Sequence, residues 1–459
     1  MCTIRPQLWK ATATVAGLLW MAREPCQVPP ADALWKRNEP CGAKLLELRW
    51  GWVLWWTGLV SGSVTAAAAV GLAVDLVRTD SVNPGLVPGA AGEGAVAGLL
   101  ARRLERSGFD AAIVPAPGAP GRPSVVARHA GTGGGRSLLL NGHLDTVGVA
   151  GMASPFAGRV VGGRVRGRLL GRGACDMKAG VAAMVAAAEA AAAAGTAGDI
   201  VLALVADEEH ASVGTEAVLD FLGGRLPDAC LVGEPTWLDL AVAHRGYAVV
   251  QVGFTGQAAH SSQASLGVNA VSHLGRLISA VEERNAVLAA GAAHPVAGPG
   301  SMMTTVAGGG TSPFVLADAA FAVVERRTVP GEAAAGALAE VESILSALRA
   351  GDPSVQAEAS LMLSREAWEF DPAAPAGAAL SGMLAAALGA RLGHVPGQIG
   401  APYWMESALW QAAGVPTVVC GPAGGGMHAE DEWVGLPQVR AYADALVDTI
   451  GAFCGPAAA

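Results

Sequence analysis

Cysteine is scarce and unpatterned in this sequence. The seven cysteines are odd in number and form no Cys-x-x-Cys pair: Cys2, Cys26, Cys41, Cys175, Cys230, Cys420 and Cys454. This pattern argues against a disulfide scaffold and against a thiolate zinc site, and it fits a reducing compartment. Any metal ion would therefore have to be bound by histidine, aspartate and glutamate.

Basic residues are also few, and the charge balance is acidic. The 459 residues include 30 lysines and arginines against 39 aspartates and glutamates, with a formal net charge of -9 and no basic cluster. A nucleic-acid-binding surface carries such a cluster, so we expect no nucleic-acid partner. The length is sufficient for two or three domains.

The first 64 residues differ from the rest. Seven of the twelve tryptophans precede residue 57, and the 24 residues from Gly51 to Val74 carry no charge, which is enough to span a bilayer. The stretch is nevertheless rich in glycine, serine, threonine and alanine, and a signal peptide is poorly supported. We expect residues 1–64 to be a disordered or artefactual extension of a cytoplasmic protein. A membrane anchor at 51–74 and an accessory segment are the alternatives.

From about residue 65 the sequence alternates apolar strands with helices. The predicted helices are 91–107 and 179–194, and the predicted buried strands are 200–205, 229–232 and 416–420. Strand 124–128 is expected to pair with 137–140 across the glycine-rich turn 131–135. Continuous apolar strands between helices indicate an α/β fold whose sheet is covered on both faces.

The pattern changes between about 245 and 365. There the predicted strands are 247–254, 301–307, 317–324 and 355–363, with helices at 269–285 and 332–349. This composition indicates an α+β insert, after which the parent fold resumes near Trp368. We therefore expect a discontinuous domain, 65–244 and 366–456, around an inserted domain at 245–365.

A metal site is indicated by His143 and Asp145, which follow the apolar run 138–140 and the turn-forming Asn-Gly. A carboxylate near an imidazole can orient it for metal binding, although such a pair is more often an ordinary polar contact. Four further residues follow strand-like segments in the same way: Asp176, Glu209, Glu234 and His428. Strand ends gather distant residues in open α/β sheets. Two histidines and three carboxylates can hold two divalent zinc ions if one carboxylate bridges them.

Glu208 and Glu209 stand side by side in the run Asp-Glu-Glu. Neighbouring strand residues point to opposite faces, so the chain must turn past the strand end before both can reach one site. One carboxylate can then bind metal while the other accepts a proton from metal-activated water. A solvated acidic loop is the ordinary alternative for such a run. The four matching positions favour the catalytic interpretation.

From about residue 65 to its end, the sequence resembles the dinuclear zinc hydrolases that include aminoacylase, carboxypeptidase G, acetylornithine deacetylase and succinyl-diaminopimelate desuccinylase. The five segments above occur in the order of that family. The other matching motifs are SVNPG at 81–85, GQAAHS at 256–261, RRTVPGE at 326–332 and GP at 421–422. The resemblance implies a zinc-peptidase-like catalytic domain, with a mixed sheet covered by helices, and an inserted α+β lid that forms a homodimer.

The resemblance also implies how the metals are bound. Asp176 would bridge two zinc ions, which cobalt or manganese could replace. His143 and Glu234 would complete one site. Glu209 and His428 would complete the other. Relatives often have a non-proline cis peptide after the bridging aspartate, so the bond between Asp176 and Met177 is the candidate here.

Other residues are assigned to catalysis and substrate binding by the same resemblance. Asp145 would hold His143 through its second ring nitrogen. Glu208 would be the general base and then the general acid. His260 would reach the partner subunit's active site to bind the oxyanion, with a surface histidine as the equal alternative. Arg327 would bind a substrate carboxylate unless it forms a surface ion pair, and Gly425 is a further substrate-binding candidate.

The function implied is hydrolysis of the amide bond of a small N-acyl amino acid, as in acetylornithine deacetylase or succinyl-diaminopimelate desuccinylase. A carboxypeptidase or dipeptidase acting on a short peptide with a carboxylate is the second interpretation. A non-catalytic zinc-binding protein is the third, and Glu208 argues against it. Glu406 stands where relatives commonly have aspartate, and 314–318 lacks an asparagine that can help bind substrate. We therefore expect the substrate pocket to differ from that of the best-known relatives.

Overall fold

The structure is a computed structural model that describes residues 63–456. Its helices, numbered in chain order, are α1 (Val64–Val77), α2 (Gly94–Arg106), α3 (Gly163–Arg166), α4 (Ala179–Ala194), α5 (Val213–Leu222), α6 (Ala270–Ala290), α7 (Ala337–Gly351), α8 (Pro375–Leu392), α9 (Ser407–Ala412) and α10 (Leu436–Phe453). Short 3₁₀ turns lie at Ser261–Leu266 and Ala334–Gly336.

The strands form three sheets. They are β1 (Asp110–Ala116), β2 (Ala119–His129), β3 (Leu138–His143), β4 (Arg159–Val161), β5 (Arg168–Leu170), β6 (Ile200–Val205), β7 (Ala229–Val232), β8 (Leu240–His244), β9 (Gly246–Thr255), β10 (Ser301–Gly309), β11 (Ala319–Thr328), β12 (Gln356–Arg365), β13 (Trp368–Glu369), β14 (Gln398–Ala401), β15 (Thr417–Val419), β16 (Gly424–Gly425) and β17 (Trp433–Gly435). A small sheet has the order β16-β17-β5-β4.

The largest sheet is mixed, with the order β1-β2-β6-β3-β7-β15-β8-β13 and with β14 paired to β8. Strands β6, β3, β7 and β15 run parallel, so their carboxyl ends lie at one edge. Leu138 and Leu140 of β3 pack into the core under α1, α4 and α10, whereas Leu139 packs into the core on the opposite face. These layers confirm the predicted α/β fold with both faces of the sheet covered.

The expected pairing of 124–128 with 137–140 is wrong. Strand β2 pairs antiparallel with β6, and β3 pairs with β6 from the other side. The glycine-rich segment bonds instead to the turn before β6, where the N–H of Gly131 donates to the Asp199 carboxylate. Strand β6 is apolar on both faces and is fully buried between its neighbours. A local hairpin signal cannot predict that β6, a strand some 60 residues later in the chain, lies between β2 and β3.

A second, antiparallel sheet has the order β10-β11-β9-β12. Helices α6 and α7 cover one face through a core that includes Val250, Leu277 and Val341. Strand β9 alternates buried and more open residues, the pattern of a half-covered sheet. All four strands fall within the segment predicted to be the insert. The domain limits 65–244, 245–365 and 366–456 stay a prediction.

The predicted extension lies almost entirely outside the described residues, as does the first half of the uncharged stretch 51–74. The second half forms α1, which packs against α4 and α10 with Ala69 and Leu76 fully buried. Two other helical segments are long and apolar enough to cross a membrane, Ala174–Ala194 and Pro375–Leu392. Most of the first is buried in the protein, as is common for core helices.

Candidate active site

Three of the predicted metal ligands meet where parallel strands end. His143 is the last residue of β3, Glu234 follows β7 by two residues, and Glu209 follows β6 by four. Strands β6 and β7 flank β3, so the three segments emerge side by side. His143 Nε2 lies 3.7 Å from Glu234 Oε1, and both side chains are buried. The topology therefore brings together residues that are far apart in sequence.

Asp176 lies between the two histidines, in the turn before α4. Its Oδ1 is 2.9 Å from His143 Nε2, and its Oδ2 is 3.3 Å from His428 Nε2. His428 Nε2 is also 3.0 Å from Glu209 Oε2. Ligand atoms around a tetrahedral zinc ion, with bonds of about 2.0–2.1 Å, are roughly 3.3 Å apart. Two groups of side chains among the described residues are close enough to hold a metal ion: His143, Glu208 and Glu234, and His143, Asp176 and Glu209. His428 adjoins the second group through Asp176 and Glu209. The bond between Asp176 and Met177 is cis, as predicted.

The cluster contains more negative charge than the protein neutralises. Burial raises the pKa of the Glu234 and Glu208 carboxyls well above the ordinary value, and it raises the pKa of Glu209 to about 7. Hydrogen bonds to Asp176 and Glu209 raise the pKa of His428 to about 10. Buried carboxylates this close cannot all ionise without nearby positive charge. Divalent cations would provide that charge, so the donor set fits a metal pair.

Glu208 and Glu209 lie on a turn in which Asp207 has a left-handed backbone conformation, φ 68°. The turn carries both carboxylates past the end of β6. Asp145 anchors it, because its two carboxylate oxygens accept the N–H groups of Glu208 and Glu209, each at 3.1 Å. The Glu208 carboxylate lies within 4.8 Å of ligand atoms of His143 and Glu234. It is therefore placed beside the candidate metal centre.

Asp145 contacts His143 mainly through its backbone. The Nδ1 atom of His143 is 3.1 Å from the Asp145 carbonyl oxygen and 3.5 Å from the nearest carboxylate oxygen. The carboxylate is occupied by the two turn N–H groups and by the side-chain amide of Asn83, which donates to it at 2.7 Å. Since a carbonyl only accepts, Nδ1 donates to it, and Nε2 is the ring nitrogen that faces Asp176. Burial opposes a charged ring here, but the nearby Glu234, Asp145 and Asp176 carboxylates raise the pKa of His143 well above its usual value.

A buried polar network supports the Asp207 turn, and the sequence did not indicate it. Arg122 pairs with Glu93 at 2.5 Å and with Asp207 at 3.0 Å, and Asn83 donates to both Asp145 and Asp207. None of these side chains is more than 10% exposed. Asn83 lies in the SVNPG motif, so that motif was the available signal. No sequence motif marks Glu93 or Arg122, because only the fold brings these residues to their partners.

The predicted substrate-binding residues lie farther out. His260 is exposed, and its ring contacts Ser262 Oγ at 2.8 Å. Arg327 lies opposite Tyr247 in the second sheet, with its guanidinium 5.3 Å from that ring, and it pairs with Glu325 at 2.6 Å. This ion pair is the alternative that the sequence left open. Gly425 belongs to β16, which begins the hairpin that carries His428.

Tyr247 links Arg327 to the catalytic side of the molecule. Burial and the nearby Glu208 carboxylate raise the pKa of its phenol. Its hydroxyl donates to the carbonyl of His210, at 3.4 Å, on the loop that follows Glu209. Arg327 is therefore connected to the loop after Glu209 through Tyr247, and no hydrogen bond or ion pair among the described residues joins it to a candidate ligand.

Comparisons with known proteins agree with this arrangement. Residues 139–452 match the Peptidase family M20/M25/M40. The chain is 32% identical over 385 residues to a protein of Cereibacter sphaeroides named succinyl-diaminopimelate desuccinylase, covering 81% of this chain and 95% of that protein. The fold is similar to a tripeptidase of Staphylococcus aureus, with TM-score 0.68 and 17% identity over 85% of this chain and 98% of the other.

A dinuclear metal binding peptidase of the M20 family from Bacillus subtilis has the same fold, with TM-score 0.60 and 17% identity over 84% of this chain and 98% of the other. At such identities the solved structures show the fold alone. The family match and the desuccinylase relative confirm the resemblance predicted from the motifs. The chain therefore belongs to the Peptidase family M20/M25/M40 and is a hydrolase of amide or peptide bonds.

Proposed function

We propose that the protein is a two-zinc deacylase that releases the acyl group from a small N-acyl amino acid. The position of Asp176 carries the proposal, because its two carboxylate oxygens face histidines from different parts of the chain. The relative named succinyl-diaminopimelate desuccinylase supports the substrate class. Short peptides present the same amide bond to such a site, so a dipeptidase or carboxypeptidase is the alternative to be tested.

Five residues would hold the metals. His143 and Glu234 would hold one ion, Glu209 and His428 the other, and Asp176 would bridge them. Nitrogen and oxygen donors without a thiolate suit zinc, and cobalt or manganese can occupy the same donors. Bound there, the ions would supply a Lewis acid for the substrate carbonyl and lower the pKa of a water.

Glu208 would transfer the proton during hydrolysis. Its carboxylate takes one proton from the attacking water as the new C–O bond forms, and it returns that proton to the nitrogen as the C–N bond breaks. Burial favours the neutral form and raises its pKa, so the group can hold the proton between the two steps. Asp145 fixes the backbone of Glu208, which keeps the carboxylate beside the reacting atoms.

The second sheet would provide the substrate-binding lid. We propose that residues 245–365 form a dimerising lid, that Arg327 binds the substrate carboxylate, and that His260 acts in the active site of a partner subunit. The exposure of His260 and the place of Arg327 beside Tyr247 support these roles. Gly425 would contact the substrate through its backbone, next to the His428 loop.

The test is an assay for release of the free amine, with the protein loaded with zinc or cobalt. Substrates are N-succinyl-diaminopimelate, N-acetylornithine, other N-acyl amino acids and dipeptides, and we expect cleavage of an N-acyl amino acid. Glu208→Gln should lower kcat by about a thousandfold, since general-base catalysis contributes roughly 10²–10⁴. The metal content of the variant should stay at two ions per chain.

Glu105→Gln, at an exposed position on α2, is the matched control and should keep full activity. Unchanged turnover in Glu208→Gln, with both ions bound, would rule out the base role. If only dipeptides were cleaved, the deacylase proposal would be wrong and the peptidase alternative would be supported.

A further inference from the structure

Glu432 lies at the end of the loop that carries His428, directly before β17. Its side chain is 1% exposed, and its carboxylate accepts four hydrogen bonds. The donors are Arg172 Nη1 at 2.7 Å and the backbone N–H groups of Gly173 at 2.9 Å, Cys175 at 2.8 Å and Asp176 at 3.1 Å. One carboxylate therefore holds the whole turn that presents the candidate bridging ligand.

Arg172 extends these contacts to the other side of the His428 loop. It is 3% exposed, and its Nη2 donates to the carbonyl of Ala429 at 3.0 Å, one residue after His428. Its Nε donates to the carbonyl of Gly148, also at 3.0 Å, in the loop after β3. The guanidinium of Arg172 thus connects its own turn to two further loops around the centre.

The loop that bears His428 has little regular structure of its own. It runs from β16 to β17, His428 has φ 60°, and its side chain is 54% exposed. Strand β17 pairs with β5, with Trp433 opposite Leu170, which brings the loop close to the turn after β5. Beyond this pair the N–H of Gly171 donates to the Glu432 carbonyl at 3.1 Å, and the side chains of Glu432 and Arg172 make further contacts between the two segments.

Stability alone is a weak explanation for these contacts. A buried ion pair often contributes little net free energy of folding, because desolvation offsets the attraction between the charges. A carboxylate with all its lone pairs used does, however, fix the position of every group that it binds. The groups fixed here include the backbone of Asp176 and the residue next to His428.

We propose that Glu432 and Arg172 are positioning residues, which together set the separation of Asp176 and His428 and thereby the affinity of the metal position that His428 completes. The proposal rests on the two-metal function proposed above. Neither residue touches the metal or the substrate.

The first experiment needs no metal. Amide hydrogen exchange is measured in EDTA for the wild type and for Glu432→Gln. In this variant a side-chain NH₂ group, which cannot accept a hydrogen bond, replaces one of the carboxylate oxygens that accept from the turn. We expect the amides of Gly173, Cys175 and Asp176 to lose at least tenfold in protection. Glu189→Gln is the control, because Glu189 accepts a similar two-pronged bond from Arg103 between α2 and α4.

The second experiment measures metal affinity by titration with Zn²⁺. The binding step that disappears in His428→Ala is assigned to the His428 position. In Glu432→Gln and Arg172→Met the Kd of that step should rise 10- to 100-fold, as for other residues that orient ligands. The Kd of the remaining step should rise by a smaller factor, because that position shares Asp176 but not His428. Arg172→Lys keeps the charge but cannot reach all three acceptors. Its Kd for the His428 step should therefore lie between the values of the wild type and of Arg172→Met.

Unchanged exchange at the three amides, or wild-type affinity of the His428 step in both variants, would overturn the proposal. Equal weakening of both steps together with a melting temperature below that of Glu189→Gln would also overturn it, because those two results indicate general loosening of the fold. Thermal melting of Glu432→Gln against Glu189→Gln detects such loosening directly. Failure of the two-metal function is distinguishable, since the wild type itself would then bind fewer than two ions.

Discussion

The two halves of the candidate metal centre are built from different kinds of structure. His143 ends a central strand that is hydrogen-bonded on both sides, and its side chain is fully buried. Glu234 follows the neighbouring strand. His428 and Glu209, in contrast, lie on a hairpin loop and on a turn, and the His428 side chain is half exposed. We refer to these as the sheet half and the loop half.

The comparison shows where each half obtains its order. Parallel strands hold His143 directly and Glu234 two residues beyond a strand end, through backbone ladders that do not depend on particular side chains. The loop half depends on side chains that bind loop backbone, with Asp145 on the Glu209 turn and Glu432 on the Asp176 turn. Loops need such polar contacts because their N–H groups lack the hydrogen-bond partners that a neighbouring strand provides in a sheet.

The largest effect should come from the residue that the two halves share. Asp176→Ala removes the candidate bridge, and we expect both ions to be lost, with turnover falling by more than about a thousandfold. Metal content per chain and the deacylase assay measure this, and circular dichroism checks the fold. Asp75→Ala, exposed on α1, is the control. Retention of two ions in Asp176→Ala would show that the halves do not share this ligand.

The next effect should separate the halves. His143→Ala leaves a cavity and an unpaired carbonyl in the buried sheet half, so the metal-free chain should lose roughly 2 kcal/mol of unfolding free energy. His428→Ala removes a half-exposed side chain that fills no core volume, although it also removes the contacts with Asp176 and Glu209, so the free energy of unfolding should fall by less than in His143→Ala. Each variant should lose one ion. Urea unfolding in EDTA and zinc titration measure both quantities, and equal stability losses would refute the contrast.

The sequence predicted the sheet half better than the loop half. Apolar runs that end in a turn are local signals, and they pointed to His143 and Glu234 of the sheet half. The order of β2, β6 and β3 could not be predicted from the sequence, because strand pairing depends on partners that are distant in the chain. The Glu432 and Arg172 pair spans 260 residues and the Glu93 and Arg122 pair 29, and neither has a local pattern.

Resemblance supplied what local patterns could not. The assignment of Asp176 as a shared ligand came from the motif order, and the structure places it between the histidines. Resemblance was less informative for Asp145, whose backbone carbonyl rather than its carboxylate is nearest to His143. A motif specifies which residues occur together, whereas the contact between two atoms depends on the local backbone.

The smallest effect concerns the protonation of Glu209, a residue of the loop half. Burial and the nearby Asp176 raise the pKa of Glu209 from an ordinary value near 4.5 to about 7, so the folded metal-free chain binds more protons than the unfolded chain between these values. Stability from this group is complete below pH 4.5 and is lost as the pH rises through 7. The raised pKa of His428, about 10, acts in the same direction above pH 6.5.

We therefore expect the metal-free chain to be less stable at pH 8 than at pH 6, with about 1 kcal/mol of the difference arising from Glu209. Glu209→Gln removes that titration and also one of the carboxylates that raise the pKa of His428, so the pH dependence should become shallower. Urea unfolding in EDTA at pH 6, 7 and 8 measures the slope, with Glu105→Gln as the control. If Glu209→Gln kept the wild-type slope, the groups that titrate between pH 6 and 8 would lie elsewhere, and the pKa of Glu209 would not be raised in the metal-free chain.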